Sequence, residues 1–354
     1  MKKFLFPCLA LLALAVLANL ATPLSANGAV ARLEKKIYWK GLTRFPKLTV
    51  QKKEAANAVK IDHPQTKAAI RRVVEKLCEG EPRNFRNVER LTEAGNFIAA
   101  QFEKLGYTVT RQPYTVQERE YFNVIAELEG ERPREPKPLV ILGAHYDVCG
   151  NTPGADDNAS AIAVMLCVAK FWKLLAENAN VRIQFAACTL EEPPFFNTDD
   201  MGSRVHAKSF PDDSLPELAV ALDCVGFYND GKHSQNYPAN IAQIGYPSVG
   251  NFLFAITNPR GKTNAKEFYS LARECGNLRV EYAALPSAAV NFSDHYSYWQ
   301  RGIPAFVLTD TAWFRNPRYH QLDDTPDTLD YARLAETVQL LARFFATFQP
   351  REQP

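Results

Sequence analysis

Two early segments, TKAAIRRVVEKLCEG (66–80) and LTEAGNFIAAQFEKLG (91–106), carry apolar residues at helical spacing and close on Gly80 and Gly106. Glycine just past the last periodic residue is a helix stop, so both segments are read as amphipathic helices. YTVTRQPYTV (107–116) and YFNVIAELEG (121–130) follow and read as two paired strands of an antiparallel edge. From Leu139 the rhythm changes to strand and helix in alternation. Strands are expected at 139–144, 181–188, 218–224, 279–284 and 304–309, and helices at 158–176, 264–276, 294–301 and 330–348. That order predicts one α/β domain over residues 62–350, with a mostly parallel central sheet and helices on both faces.

The N-terminus changes the picture of where the protein works. MKKFLFPCLALLALAVLANLATPLSANGA places two lysines before an apolar run and small residues after it. This is the pattern of a secretory signal over residues 1–28, with an uncleaved membrane anchor as the alternative. The expected location is secreted or periplasmic, or membrane-anchored and facing outside the cytoplasm. Residues 29–61 read as a basic arm or linker, since 31–60 hold nine Lys/Arg against two Glu with no clean period. The formal charge of +2 comes from Lys2 and Lys3, which argues against a global field for nucleic acid. Six cysteines follow the apolar run without a CxxC spacing, and packing is the role expected of those in apolar segments.

Ionisable residues gather at the strand ends. LVILGAHYDVCGNTPGADDNASAIAVML (139–166) sets His145, Asp147, Asp156 and Asp157 between two apolar runs. TLEE brings Glu191 and Glu192 after strand 181–188, LDC brings Asp223, and NPRYHQLDDTPD brings His320 with Asp323 and Asp324. In open α/β sheets, sites form beyond the carboxyl ends of the strands. Any one of these residues alone is an ordinary loop or surface residue. Together they make the mixed imidazole and carboxylate set that suits zinc, with carboxylates numerous enough for two ions to share one.

The motifs GAHYD, PGADDNAS, the Glu pair after an apolar strand, LD, SDH (293–295) and YHQLDDTPD occur in the order of a known group. Over roughly residues 85 to 350 the chain resembles the co-catalytic zinc aminopeptidases of clan MH, which also holds glutamate carboxypeptidases and glutaminyl cyclases. The resemblance implies a three-layer α/β/α zinc-peptidase fold with a mixed, mostly parallel sheet. It implies that Asp157 bridges two zinc ions, His145 and Asp223 complete one site, and Glu192 and His320 complete the other. Glu191 would be the general base that takes the proton of a zinc-bound water to give the hydroxide, and Asp147 would hydrogen-bond the far nitrogen of His145. A cis Asp157–Asn158 bond is also implied.

The activity expected from the resemblance is removal of N-terminal, apolar residues from short peptides. Phe195, Phe196, Trp313, Phe314 and Tyr319 lie in flanking loops and are candidates for a pocket for the first side chain. The loop PPFFNTDD (193–200) is longer than the group's usual connection and is expected to raise one rim of the site. Two alternatives remain on the same scaffold: a single-zinc glutaminyl cyclase, and a non-catalytic member serving as a binding module.

Overall fold

A computed structural model describes residues 47–128, 137–238, 245–286 and 290–350. The signal or anchor segment and residues 29–46 of the basic arm lie outside the described residues.

Eight strands form one sheet: β1 (Tyr107–Val116), β2 (Arg119–Leu128), β3 (Leu139–His145), β4 (Arg182–Cys188), β5 (Leu218–Leu222), β6 (Leu253–Thr257), β7 (Val280–Ala284) and β8 (Ala305–Thr309). Their spatial order is β1-β2-β4-β3-β5-β8-β6-β7. The centre, β4-β3-β5-β8, is parallel throughout. β2 runs antiparallel to β4, and β6 antiparallel to β8, so the sheet is mixed at its flanks. The carboxyl ends of the four parallel strands therefore open on the same edge, which is where the ionisable residues follow.

The residues of β3 divide between two cores. Val140, Leu142 and Ala144 join a large apolar cluster with residues of α2 (His63–Cys78), α3 (Val88–Lys104), α4 (Ala161–Leu175), α6 (Lys262–Cys275) and α8 (Tyr331–Thr347). Ile141, between them, belongs to a second cluster with Ala207 of α5 (Gly202–Lys208) and with Tyr298 and Trp299 of α7 (His295–Gln300). Successive strand residues point to opposite faces, so both faces of the sheet are covered and the domain has three layers. Every residue from Ala161 to Ala169 is buried, which explains why α4 is apolar all round.

Three elements were not foreseen. α1 (Val50–Ala58) turns part of the supposed basic arm into structure: Lys52 and Lys53 pair with Glu267 and Glu274 of α6. The folded unit thus begins before Asp62. Its lysines read as a solvated run because their acidic partners lie more than 200 residues away in sequence. β6 is buried on both faces and shows no alternation, and α5 has only seven residues, too few for a helical period. The helix expected at 158–176 is also divided. Ala155–Ser160 forms a wide π-type turn with Asp157 and Asn158 out of helical conformation, and α4 starts only at Ala161.

Candidate metal centre and active site

Each central parallel strand hands over to a loop that presents one part of the site. β3 ends on His145, 1% exposed. β4 leads to Glu191 and Glu192, 5% and 4% exposed, and β5 leads to Asp223. Asp157 arrives on the π-type turn and His320 on the loop after β8.

Distances within this group carry a pattern. His145 Nε2 lies 3.3 Å from Asp157 Oδ1 and 3.8 Å from Asp223 Oδ1. His320 Nε2 lies 3.0 Å from Asp157 Oδ2 and 3.3 Å from Glu192 Oε2. Asp157 thus turns one oxygen towards each imidazole. None of these approaches is aligned as a hydrogen bond: His145 Nε2, His320 Nε2, Asp157 Oδ2 and Glu192 Oε1 are buried without a partner. Buried polar atoms without partners are costly, and here they converge. Two N or O ligands of one tetrahedral zinc, each 2.0–2.2 Å from the ion, stand about 3.4 Å apart. The observed spacings match that span twice, with Asp157 common to both, so these residues fit a pair of divalent ions.

The electrostatics of the metal-free group agree. Burial raises Glu191 well above the carboxylate range and Glu192 to about 7, with neighbouring carboxylates adding to both. Burial opposes charge on His145 and His320, yet the surrounding carboxylates, led by Glu191 and Glu192 respectively, outweigh it and raise both. Asp157 moves the other way: the two histidines overcome its burial and hold it well below the usual range. Without a cation, protons are what would neutralise these buried carboxylates.

Asp147 faces the ring nitrogen of His145 that points away from the centre, its Oδ1 3.5 Å from His145 Nδ1. The carboxylate also accepts the backbone N–H groups of Glu191 (3.2 Å) and Glu192 (3.1 Å). It therefore sets the Glu pair through the main chain while it lies against His145.

Several supports were not assigned from sequence. Asp324 accepts the N–H groups of Asp156 (2.9 Å) and Asp157 (3.2 Å), tying the His320 loop to the turn that carries Asp157. The Asp156 carboxylate accepts from Gly226 N–H and Asn316 Nδ2, both 2.8 Å. Asn158 spans to β5, donating to Leu222 O and accepting from Cys224 N–H, and so brackets Asp223. Arg83, wholly buried, donates to the carbonyls of Tyr146, Leu77, Pro153 and Gly154. Gly154 has φ +66°, and a side chain there would collide with Val148 and the Asp157 carbonyl. The Asp157–Asn158 peptide is cis, as the resemblance implied. Asp294, within the SDH motif, is buried with both oxygens unpartnered and is raised to about 6 by burial.

The aromatic candidates separate. Trp313, Phe314 and Tyr319 line a pocket beside Asp223, together with Phe254, Ile256, Leu285, Phe292 and Val307. Phe292 and Trp313 meet edge-on at 5.7 Å, and Tyr319 stacks on His320 at 3.8 Å. Phe195 and Phe196 are not among the lining residues. Phe195 is 4% exposed and packs edge-on against Phe85 at 5.2 Å, anchoring its loop from below. Loop position alone suggested a pocket role, but Phe195 belongs to the large apolar cluster of the domain and pins the loop to it.

A three-layer α/β domain with imidazoles and carboxylates converging beyond its parallel strands has the architecture of the zinc peptidases. The model of peptidase family M28 matches residues 123–345, and the chain belongs to that family. It is 35% identical over 267 residues to the uncharacterized protein YfbL of Escherichia coli K12, covering 73% of this chain and 80% of that one. A probable leucine aminopeptidase of Trichophyton verrucosum is 25% identical over 277 residues, 73% of this chain and 62% of the fungal protein, whose length the chain therefore spans only in part. Among solved structures, LapB of Legionella pneumophila has a TM-score of 0.67 at 21% identity, covering 86% of this chain and 76% of that one. A Bacteroides thetaiotaomicron glutaminyl cyclase has a TM-score of 0.60 at 16% identity, covering 80% and 98%. These two structural likenesses are likenesses of fold.

Proposed function

We propose that the protein is an exported, zinc-dependent aminopeptidase that removes apolar N-terminal residues from short peptides. The observation that carries this reading is the convergence of unpartnered donor atoms around Asp157, at the spacing two shared ions require, next to an apolar pocket. His145, Asp157 and Asp223 would hold one ion, and Asp157, Glu192 and His320 the other. When bound, such ions supply Lewis acidity towards a scissile carbonyl and make a water acidic enough to react near neutral pH.

The remaining chemistry belongs to the chain. Glu191 is buried, its Oε2 lies 4.0 Å from His145 Nε2, and its backbone is held by Asp147. It is the group placed to take a proton from the attacking water and return it to the departing amine. The pocket behind Asp223 holds the first side chain and so brings the peptide's free α-amine against the carboxylates of the centre. The loop 193–200 follows Glu192 directly, and its added length supports a preference for short peptides. The export reading rests on residues 1–28.

A glutaminyl cyclase shares the scaffold, but an apolar lining of Phe254, Ile256, Leu285, Val307 and Phe314 suits an aliphatic or aromatic side chain better than an amide. The test is a panel of aminoacyl anilides beside a peptide with N-terminal glutamine, using chelator-stripped and zinc-restored protein. Zinc-dependent release from leucyl or phenylalanyl anilide supports the proposal. Ring closure of the glutaminyl peptide without anilide hydrolysis assigns the cyclase instead, and inertness in both assays leaves a binding module.

A further inference from the structure

The segment after β8 carries both the aromatic wall of the pocket, with Trp313, Phe314 and Tyr319, and the imidazole of His320. Thr311, Ala312 and His320 hold left-handed backbone without being glycine, at φ 88°, 47° and 59°. Such conformations persist only where surrounding contacts impose them. Asn316, 2% exposed, ties the segment together from its middle. Its backbone N–H donates to Ala312 O (2.7 Å), its carbonyl accepts the N–H of Tyr319 (3.3 Å), and its Oδ1 accepts the N–H of Arg318 (2.9 Å). Its Nδ2 donates to Asp156 Oδ2 at 2.8 Å. We propose that Asn316 is a positioning residue that, through Asp156, fixes where the pocket wall and His320 stand relative to Asp157. This deepens the aminopeptidase reading above and rests on it.

Asp156 precedes Asp157 in the chain and is itself held fast. Its Oδ1 accepts the N–H of Gly226 (2.8 Å), and its own N–H donates to Asp324 Oδ1 (2.9 Å). Asn316 and Asp324 stand four residues before and four after His320, so both sides of that loop are attached to Asp156. The position calls for an amide, because one side chain must accept from Arg318 and donate to a carboxylate at once. Aspartate there would offer acceptors only and would meet Asp156 as a like charge. The consequence for the reaction is one of register. The first side chain of a peptide rests on the wall while its carbonyl lies at the centre, so the span from wall to Asp157 decides which side chain brings the carbonyl into place. A misplacement of about 1 Å costs on the order of a hundredfold in rate. Asn316 therefore bears on metal affinity through His320 and on the choice of first residue through the wall.

The test is a double-mutant cycle on the full chain: Asn316→Asp, Asp156→Asn and the reciprocal double variant. Each is read by zinc titration of the chelator-stripped protein and by kcat/KM for leucyl and alanyl anilides at saturating zinc. Asn316→Asp sets two carboxylates face to face, and Asp156→Asn leaves one acceptor for two donors. Each single variant should bind zinc about tenfold or more weakly and lower the leucyl-to-alanyl ratio of kcat/KM about tenfold. In the double variant the amide moved to position 156 accepts from Gly226 and donates to the carboxylate moved to position 316, which still accepts from Arg318. Both readouts should then return to within about threefold of wild type. Single variants with wild-type zinc affinity and ratio would overturn the proposal, as would lowered Tm with both readouts unchanged. A double variant no better than the singles, loss of folding included, would overturn it too. Hydrolysis of neither anilide by the zinc-loaded wild type would overturn the aminopeptidase reading instead, and the zinc titrations of the four proteins then decide the part of Asn316.

Discussion

Removing the metal should leave a protein whose stability falls as the pH rises, and zinc should reverse that trend. In the metal-free chain burial raises Glu192 to about 7, and burial raises Asp324 to about 7 as well, against ordinary values of 4.5 and 3.8. His145 and His320 also titrate above 6.5, because the carboxylates around them outweigh the burial that opposes their charge. A folded-state pKa above the unfolded one stabilises the fold below the unfolded value, and the contribution disappears as the pH climbs through the folded value. For Glu192 the rise from 4.5 to about 7 corresponds to about 3 kcal/mol, lost between roughly pH 4.5 and 7. The two imidazoles carry the loss above pH 7. Asp157, His206 and His295 have the opposite sign. The lowered pKa of Asp157 confines its effect to pH below about 4. Burial lowers His206 to about 3 and His295 to about 4, so the gain from both is complete above about pH 6.5 and opposes the trend only at the acid end of the range. Zinc competes with these protons, so its stabilisation grows as they leave. The assay is thermal unfolding from pH 5 to 8 with a chelator or with excess Zn²⁺. The metal-free Tm should fall by about 5 °C or more across the range, while the zinc increment increases. A metal-free Tm that is flat or rises, or a zinc increment independent of pH, refutes the reasoning.

Within the Glu pair, Glu191→Gln should abolish turnover while metal content stays at the wild-type level, and Glu192→Gln should lower the affinity of one ion; elemental analysis beside kinetics separates them. Asp324→Asn leaves one acceptor for two backbone donors and turns an amide towards the other, which should cost about 2–4 kcal/mol and weaken metal binding, read by denaturant unfolding and zinc titration. Phe195→Ala should cost about 3–5 kcal/mol of stability. Trp313→Ala, at a 38% exposed pocket edge, should leave Tm nearly unchanged and reduce kcat/KM for large apolar N-terminal residues about tenfold. Equal stability losses in the two variants would contradict the division between loop core and pocket.

The central fold was legible because its strands and helices have distinct periods, and His145, Glu192 and Asp223 lie at or within four residues of a strand end, whereas Asp157 and His320 come 12 and 11 residues after one. Their place beyond the strands gathered His145, Asp157, Glu192, Asp223 and His320 with several neighbouring acids, and only the motif resemblance separated these five from the rest. What was not legible depends on partners remote in sequence. Asp324 reads as one acid among several until its carboxylate is seen beneath two backbone N–H groups of the Asp157 turn. Arg83 looks like a surface residue in a polar stretch, yet four carbonyls from the end of α2 and the loop after β3 enclose it. Asp147 lies 3.5 Å from the ring nitrogen the resemblance gave it, but its hold on main-chain donors 44 and 45 residues on had no signal in the sequence. Phe195 and Trp313 carry the same loop signature, and only burial distinguishes them.

The most direct test of the central claim compares leucyl anilide with its N-acetyl derivative on the zinc-loaded enzyme. The account places the free α-amine against the carboxylates of the centre while the side chain fills the pocket beside Asp223. Acetylation removes that charge and adds bulk where the pocket closes, so the free substrate should be cleaved and the blocked one left intact. Equal cleavage of both would contradict the aminopeptidase reading.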